Sequence, residues 1–232
     1  MKKPAISIVF PVYNEANSIE SVLREWKKEL KRLKIKHQII ICEDGSTDKT
    51  KVILNNLKKQ LKLTLNQKRR RRGYGGAVID GIKTARYEYI LCVDSDGQCD
   101  PKDLKKFMVK IGKDVLIGWR TKRIDSPTRL LFSYLFGIFF KLLFPHDIHD
   151  PSAPFVVFSK KQFIPLIPQL RFLKEGFWWG FIGACVKNNI NFIEIPINHR
   201  KRYVGDTQVY KPSKMFSIAT RNILGLFKLK FT

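Results

Sequence analysis

Two carboxylates one residue apart, Asp94 and Asp96, close the apolar run Tyr89-Ile90-Leu91-Cys92-Val93 and are followed by Gly97 and Gln98. Side chains two apart on an extended chain point to the same side, so both carboxylates face one point in space. Oxygen ligands arranged in this way suit Mg²⁺ or Mn²⁺, which keep positions open for phosphate oxygens. The plainer reading is a polar turn after a strand, and a D-x-D taken alone is a weak motif. Its weight depends on what the rest of the chain brings to the same place.

Three further polar clusters follow apolar runs. Ile6 to Phe10 leads into Pro11-Val12-Tyr13-Asn14-Glu15, His37 to Cys42 into Glu43-Asp44-Gly45-Ser46-Thr47-Asp48, and Leu63 to Leu65 into the basic, glycine-rich loop Lys68 to Gly76. The runs have the length and β-branched content of buried strands, and a strand over Ile6 to Phe10 is expected to stop at Pro11. Between them, Ile19, Val22, Leu23, Trp26, Leu30 and Leu33 recur at helical spacing, as do Val52, Ile53, Leu57 and Leu61. Helices are also expected from Ala77 to about Ala85 and from Pro101 to Ile111, and a fifth strand over Val115 to Gly118. Strands alternating with helices through residues 5 to 118 imply β-α-β units and a parallel sheet. Ligands of such a sheet sit beyond the carboxyl ends of its strands, which is where all four polar clusters converge.

The second half is less regular. Arg129 to Phe144 is apolar almost all round, Phe155 to Phe158 and Phe192 to Ile197 read as strands, and Phe177 to Val186 reads as a helix. The greasy segment Leu130 to Phe144 spans roughly 22 Å as a helix, less than the ~30 Å hydrocarbon core of a bilayer. Burial is one explanation of it; an interfacial helix, flanked by Arg123, Arg129 and Lys141, is the other. Met215 to Phe231 mixes apolar residues with Lys and Arg and has the makings of a second surface helix.

The 232 residues suit one domain with a sizeable core. The 44 Lys and Arg against 20 Asp and Glu leave a charge of +24, which asks for a polyanionic neighbour: nucleic acid, an anionic membrane face or phosphorylated substrates. The four cysteines show no C-x-x-C spacing and read as reduced thiols of a cytosolic protein. The apolar run after Met1-Lys2-Lys3-Pro4 is too short for a signal peptide, so a cytoplasmic location is expected. The basic residues are spread along the chain and no RNA-binding aromatic motif accompanies them, which argues against nucleic acid as the partner.

Taken together, Phe10-Pro11-Val12-Tyr13-Asn14-Glu15, Glu43-Asp44-Gly45-Ser46-Thr47-Asp48-Lys49-Thr50 and Asp94-Ser95-Asp96-Gly97-Gln98 resemble, in this order, the V-P-x-Y-N-E, D-D-G-S-x-D-x-T and D-x-D-x-Q motifs of inverting family 2 glycosyltransferases. The similarity is to the dolichyl-phosphate mannose synthase and polyprenyl-phosphate glycosyltransferase branch and covers nearly the whole chain. It implies the GT-A fold: an α/β, Rossmann-like, mostly parallel central sheet flanked by helices, with amphipathic membrane-surface helices. It implies one catalytic domain over 1–232, comprising a nucleotide-binding half (1–120), an acceptor-binding half (121–210) with an interfacial helix at 126–144, and a basic amphipathic tail (211–232).

By the same resemblance Pro11, Tyr13, Glu15 and Asp44 hold the base and ribose of a GDP- or UDP-linked sugar. Asp94, Ser95, Asp96 and Gln98 surround the Mg²⁺ or Mn²⁺ and the diphosphate, with Asp94, Asp96 and Gln98 as metal ligands. Gly118-Trp119-Arg120 matches G-x-R and brings Arg120 to the phosphates, so that Asp94, Asp96 and Arg120 form the catalytic set. Arg129 and Ser133 meet the phosphate of a polyprenyl or dolichyl acceptor. Arg202-Tyr203-Val204-Gly205-Asp206-Thr207 fits R-x-x-G-x-S as a cationic lid over the donor, and Lys174 adds a phosphate contact. For Asp48, helix capping is the preferred reading.

The pattern departs at Asp150-Pro151-Ser152-Ala153-Pro154-Phe155-Val156, where the family's D-x-T-S-G-F-R loses its Gly and Arg. Many relatives carry transmembrane helices after the catalytic domain, and this sequence ends without one. The expected partners are therefore the anionic cytoplasmic face of a membrane, on which the protein is peripheral, and a membrane-anchoring subunit. A transferase for a soluble acceptor is the alternative, and it needs a carboxylate base, Glu175 or Asp150.

Overall fold

The computed structural model describes residues 4–112, 114–125, 127–170, 173, 176–203 and 212–232, the side chains of 212–216 excepted. Lys174, Glu175 and Val204 to Thr207 lie outside the described residues. Seven strands form one sheet: β1 (Ile6–Val12), β2 (His37–Glu43), β3 (Leu63–Gln67), β4 (Tyr89–Val93), β5 (Val115–Arg120), β6 (Phe155–Ser159) and β7 (Phe192–Ile197), in the order β3-β2-β1-β4-β6-β5-β7. The β3-β2-β1-β4 run and the β5-β7 pair are parallel.

The strand direction changes at β6, which pairs antiparallel with both β4 and β5. β5 still runs parallel to β4, as expected, but not beside it: the chain passes β4, builds β5 one place further out, and returns through the gap as β6. Phe155 to Phe158 is apolar throughout because the strand is covered on both faces, and such a run carries no sign of its direction.

Strand alternation divides the core into two layers. Ile6, Ile8, Phe10, Ile39, Ile41, Leu91, Val93 and Phe155 face α1 (Ile19–Arg32), α2 (Thr50–Leu61) and α4 (Leu104–Lys110). Val9, Ile40, Cys42, Ile90, Cys92, Val156 and Phe158 face α3 (Tyr74–Thr84), α5 (Pro127–Leu143), the short α6 (Lys160–Phe163) and α7 (Ile167–Leu170), α8 (Phe177–Lys187) and α9 (Pro212–Phe231). Asp94, the residue after β4, follows the parity of Ile90 and Cys92 and so belongs to the α3 and α8 side.

Among the boundaries that move relative to the sequence expectation, two bear on the site. β1 runs through Pro11 to Val12, because beyond Val9 it pairs with β2 alone, and a proline needs no partner on its open side. α3 begins at Tyr74 instead of Ala77, taking in Gly75 and Gly76. Both oxygens of Asp44 accept backbone N–H bonds from the approach to this helix, from Arg72 at 2.9 Å and Gly73 at 2.7 Å. That tertiary support outweighs the poor helix propensity of glycine.

The apolar helix α5 is neither wholly buried nor wholly exposed. Phe140 is buried and stacks edge-on to Trp179, while Leu131, Phe132, Tyr134, Leu135, Ile138 and Leu142 are exposed. α9 repeats the pattern, with Leu226 and Leu229 inside and Leu224, Phe227 and Phe231 outside. Among the described residues no helix is long and apolar enough to cross a membrane.

Candidate active site

The carboxyl ends of β1, β2 and β4 meet at one cavity of about 940 Å³. Pro11, Tyr13, Glu15, Asp44, Asp94, Ser95, Asp96, Gln98, Arg120, Arg129, Ser133 and Arg202 all line it, so the expected residues that fall in the described regions are brought together. Ser95 Oγ donates to Pro11 O at 2.9 Å and ties the two strand ends to each other.

Asp94 lies at the floor of the cleft, surrounded by protein although solvent reaches it. Burial first, and the charge of Asp96 next, push its carboxyl up from 3.8 to about 7, against a hydrogen bond from Tyr74 Oη at 2.7 Å. Asp96 is buried; its Oδ1 accepts from Gln98 N at 3.0 Å and its Oδ2 is 3.4 Å from Arg202 Nη1. Arg202 also pairs with Glu15, whose pKa is raised mainly by burial although Ser18 and Arg202 bind it. The turn is pressed close at Gly97: at φ +82° a Cβ would come 2.7 Å from the ring of Tyr203, so only glycine fits.

Two crowded carboxylates of which one resists ionisation form a site short of positive charge, and an all-oxygen donor set of this kind fits a hard divalent cation. Among the described residues no third acidic, histidine or cysteine side chain completes a cluster, which leaves the remaining positions to ligand and water oxygens. Gln98 Nε2 donates to Arg200 O at 3.4 Å, which orients the amide and leaves its Oε1 as the acceptor oxygen.

The raised Asp94 has a measurable consequence. Below its ordinary pKa both folded and unfolded chains hold the proton; between about pH 4 and pH 7 the unfolded chain has lost it and the folded chain keeps it, so stability falls as pH rises. Thermal melts in the absence of divalent ions should show this decline, Asp94→Asn should flatten it, and Mg²⁺ at pH 7.5 should recover the loss in the wild type only.

Beside the loops after β1 and β2, the Arg71 guanidinium lies 4.0 Å from the Tyr13 ring centroid, a cation–π pair in the cavity lining. Asp44 is given over to the backbone of the basic loop, and Gly45 explains how close that loop comes: at φ +77° a Cβ there would meet Arg71 N at 2.7 Å. Asp48 accepts from Thr50 N at 3.0 Å and Ala16 N at 3.2 Å, an Asx turn that leads into α2 and ties it to the loop after β1; the capping expectation is corrected, because the N-cap position is Lys49.

Arg120 is buried and doubly bonded to Asp150, Nε to Oδ2 at 2.7 Å and Nη2 to Oδ1 at 2.8 Å, with Ser152 Oγ also on Nη2 at 2.8 Å. Burial alone would lower the guanidinium and raise the carboxyl, but their pairing reverses both shifts. The altered 150–156 segment therefore serves to hold Arg120, and Asp150, with both oxygens engaged, is unsuited to act as a base.

Another part of the cavity lining is apolar, made by Phe132, Leu135, Phe136 and Phe139 of α5, Trp179 of α8, and Ile218 and Ile223 of α9, with Trp178 nearer the carboxylates. Its mouth is cationic. Arg129 pairs with Asp125 at 2.9 Å, Asp125 binds Arg123 at 2.9 Å, and Arg123 Nη1 donates to Ser133 Oγ at 2.7 Å. Sequence reasoning treated Arg123 only as a flanking charge and missed Tyr74 and Trp178. A lone Tyr inside Gly73-Tyr74-Gly75-Gly76 was the available signal for the former.

Residues 7–165 match the Glycosyl transferase family 2 domain. The chain is 29% identical over 251 residues to a dolichyl-phosphate beta-glucosyltransferase of Dictyostelium discoideum, covering 97% of this chain and 77% of that protein. It is 31% identical over 126 residues to a dodecaprenyl-phosphate galacturonate synthase of Rhizobium johnstonii, covering 52% of this chain and 37% of that one. The chain thus spans only part of the length of these relatives. In structure it is similar to glucosyl-3-phosphoglycerate synthase of Mycobacterium tuberculosis, solved with Mn²⁺, UDP and glucosyl-3-phosphoglycerate, with a TM-score of 0.69, 17% identity and coverage of 98% of this chain and 80% of that one. This likeness identifies the fold as GT-A.

Proposed function

The chain belongs to glycosyl transferase family 2 and is a glycosyltransferase, and on that premise we propose that it moves a hexose, mannose or glucose in type, from a nucleoside-diphosphate sugar to the phosphate of a polyprenyl or dolichyl lipid, with inversion. The observation that carries the reading is the continuity of one cavity from the carboxylate pair, past the cationic mouth at Arg123 and Arg129, into an apolar groove. A phosphate head with an isoprenoid tail matches that sequence of surfaces. The names of the relatives, acting on dolichyl and dodecaprenyl phosphate, point the same way.

In this reading Tyr13 and Arg71 receive the base of GDP or UDP, and Glu15 and Asp44 border the ribose. Asp94 and Asp96 hold Mg²⁺ or Mn²⁺, which when bound offsets the charge of the leaving diphosphate. Arg202 lies within reach of the same charge. Arg129 and Arg123, with Ser133, orient the lipid phosphate toward the anomeric carbon. The second ionisation of a phosphate ester lies near pH 6, so at neutral pH the nucleophile is already mostly anionic and no protein base is required. The task of the protein is to place two anions in line and stabilise the one that departs.

The exposed apolar faces of α5 and α9, together with a charge of +24, suit a peripheral position on the anionic cytoplasmic face of a membrane, where a membrane-anchoring subunit has room to dock. The test is a screen of GDP- and UDP-hexoses with polyprenyl phosphate and Mg²⁺ or Mn²⁺, reading out the glycolipid. Transfer from one nucleotide series is expected, and no turnover with any donor would overturn the proposal. Arg129→Ala should raise KM for the lipid phosphate by about tenfold or more, the worth of one charge-assisted hydrogen bond. The donor KM should stay unchanged, as steady-state kinetics against each substrate will report.

A further inference from the structure

Two aromatic residues connect the apolar groove to the carboxylate pair. Trp178 Nε1 donates to Tyr74 Oη at 2.8 Å, and Tyr74 Oη lies 2.7 Å from Asp94 Oδ1. An indole N–H can only donate, so the phenol oxygen accepts that bond and its single proton goes to Asp94. The direction of the chain is fixed from groove wall to tyrosine to carboxylate. It commits Oδ1 and leaves Oδ2 as the oxygen for a ligand.

Tyr74 is itself held from two sides. Its backbone follows Arg72 and Gly73, both pinned by Asp44, and its ring lies 6.4 Å from that of Phe177, the first residue of α8. Trp178, one residue on, is buried in the layer that also contains Trp179, against which Phe136 and Phe140 of α5 pack. A tail entering the groove meets this layer, and the tyrosine hydroxyl links Trp178 in it to Asp94, just past the end of β4.

We propose that Tyr74 is a positioning residue that fixes the rotation of Asp94 for the diphosphate and, through Trp178, links occupation of the acceptor groove to that carboxylate. The inference rests on the reading of the groove as the acceptor site. Tyr74→Phe retains the ring and removes only the hydroxyl. It should lower kcat by about tenfold to a hundredfold, the range for one hydrogen bond to a charged group, with the KM for polyprenyl phosphate changed by less than about twofold. Trp178→Phe, which leaves the Tyr74 to Asp94 bond in place, should lower kcat less, and it should lower it no further in the Tyr74→Phe background.

A spectroscopic measurement separates this role from a merely structural one. In the ¹H–¹⁵N spectrum the indole resonance of Trp178, assigned by Trp178→Phe, should shift when UDP or GDP is added with Mg²⁺ and no acceptor. In Tyr74→Phe it should respond to farnesyl phosphate but no longer to nucleotide. A kcat within about twofold of wild type for Tyr74→Phe, additive kcat effects, or a nucleotide response that survives the substitution would overturn the proposal. Failure of the wild type to glycosylate any lipid phosphate would instead overturn the acceptor reading beneath it.

Discussion

Asp96→Ala is expected to abolish sugar transfer while leaving the fold intact. Asp96 is buried beside Asp94 and faces Arg202, so it contributes repulsion to the folded state as well as attraction. Its removal relieves Asp94, leaves Arg202 paired with Glu15, and costs the core no apolar contact. For the reaction the outcome is different. The site loses one of two carboxylates able to hold a divalent cation against the leaving diphosphate, and loss of a single preorganised group of this type costs about 10²- to 10³-fold or more in rate. Radiolabelled transfer to lipid will measure the rate, and thermal melts should show a midpoint equal to or above that of the wild type. Full activity in this variant would sink the metal assignment.

Asp150→Ala should have the largest effect on stability. It strips a buried guanidinium of its bidentate partner, leaving Arg120 with the Ser152 hydroxyl and the more distant charges of Asp125 and Asp94. Breaking a buried pair from one side costs about 3–5 kcal/mol, far more than the pair itself contributes relative to an apolar replacement. Urea titrations should show the midpoint falling accordingly, and the double variant Asp150→Ala/Arg120→Met should regain much of the loss. Equal destabilisation by the single and double variants would contradict this account.

That the polar clusters meet at one cavity was legible in the sequence because local pattern places them at strand ends. Asp94 and Asp96 follow a strand whose apolar run is plain, and the loops after β1 and β2 announce themselves by Pro, Gly and acidic residues just where apolar runs end. Arg120 was legible as a residue but not as a structural ion pair, since its partner is on a separate loop 30 positions away. Tyr74 and Trp178 are 104 positions apart and meet only because α3 and α8 pack on one face of the sheet. The direction of β6 was hidden for a related reason: an all-apolar strand buried on both faces reads the same forward and backward. The half-exposed state of α5 arises from how Trp179 and Phe140 meet, which a sequence apolar on every side cannot reveal.

The reversed strand β6 also governs how this protein can be cut. A fragment ending at Arg120 would contain β4 and β5 but neither β6, which lies between them, nor β7 on the other side of β5, so one edge of β4 and both edges of β5 would be left bare and prone to pair with other chains. The complementary fragment would carry β6 with neither neighbour. Split-protein reconstitution at this point should therefore require both pieces to be made together, with catalytic recovery reporting that β6 and β7 have closed on β5 from its two sides.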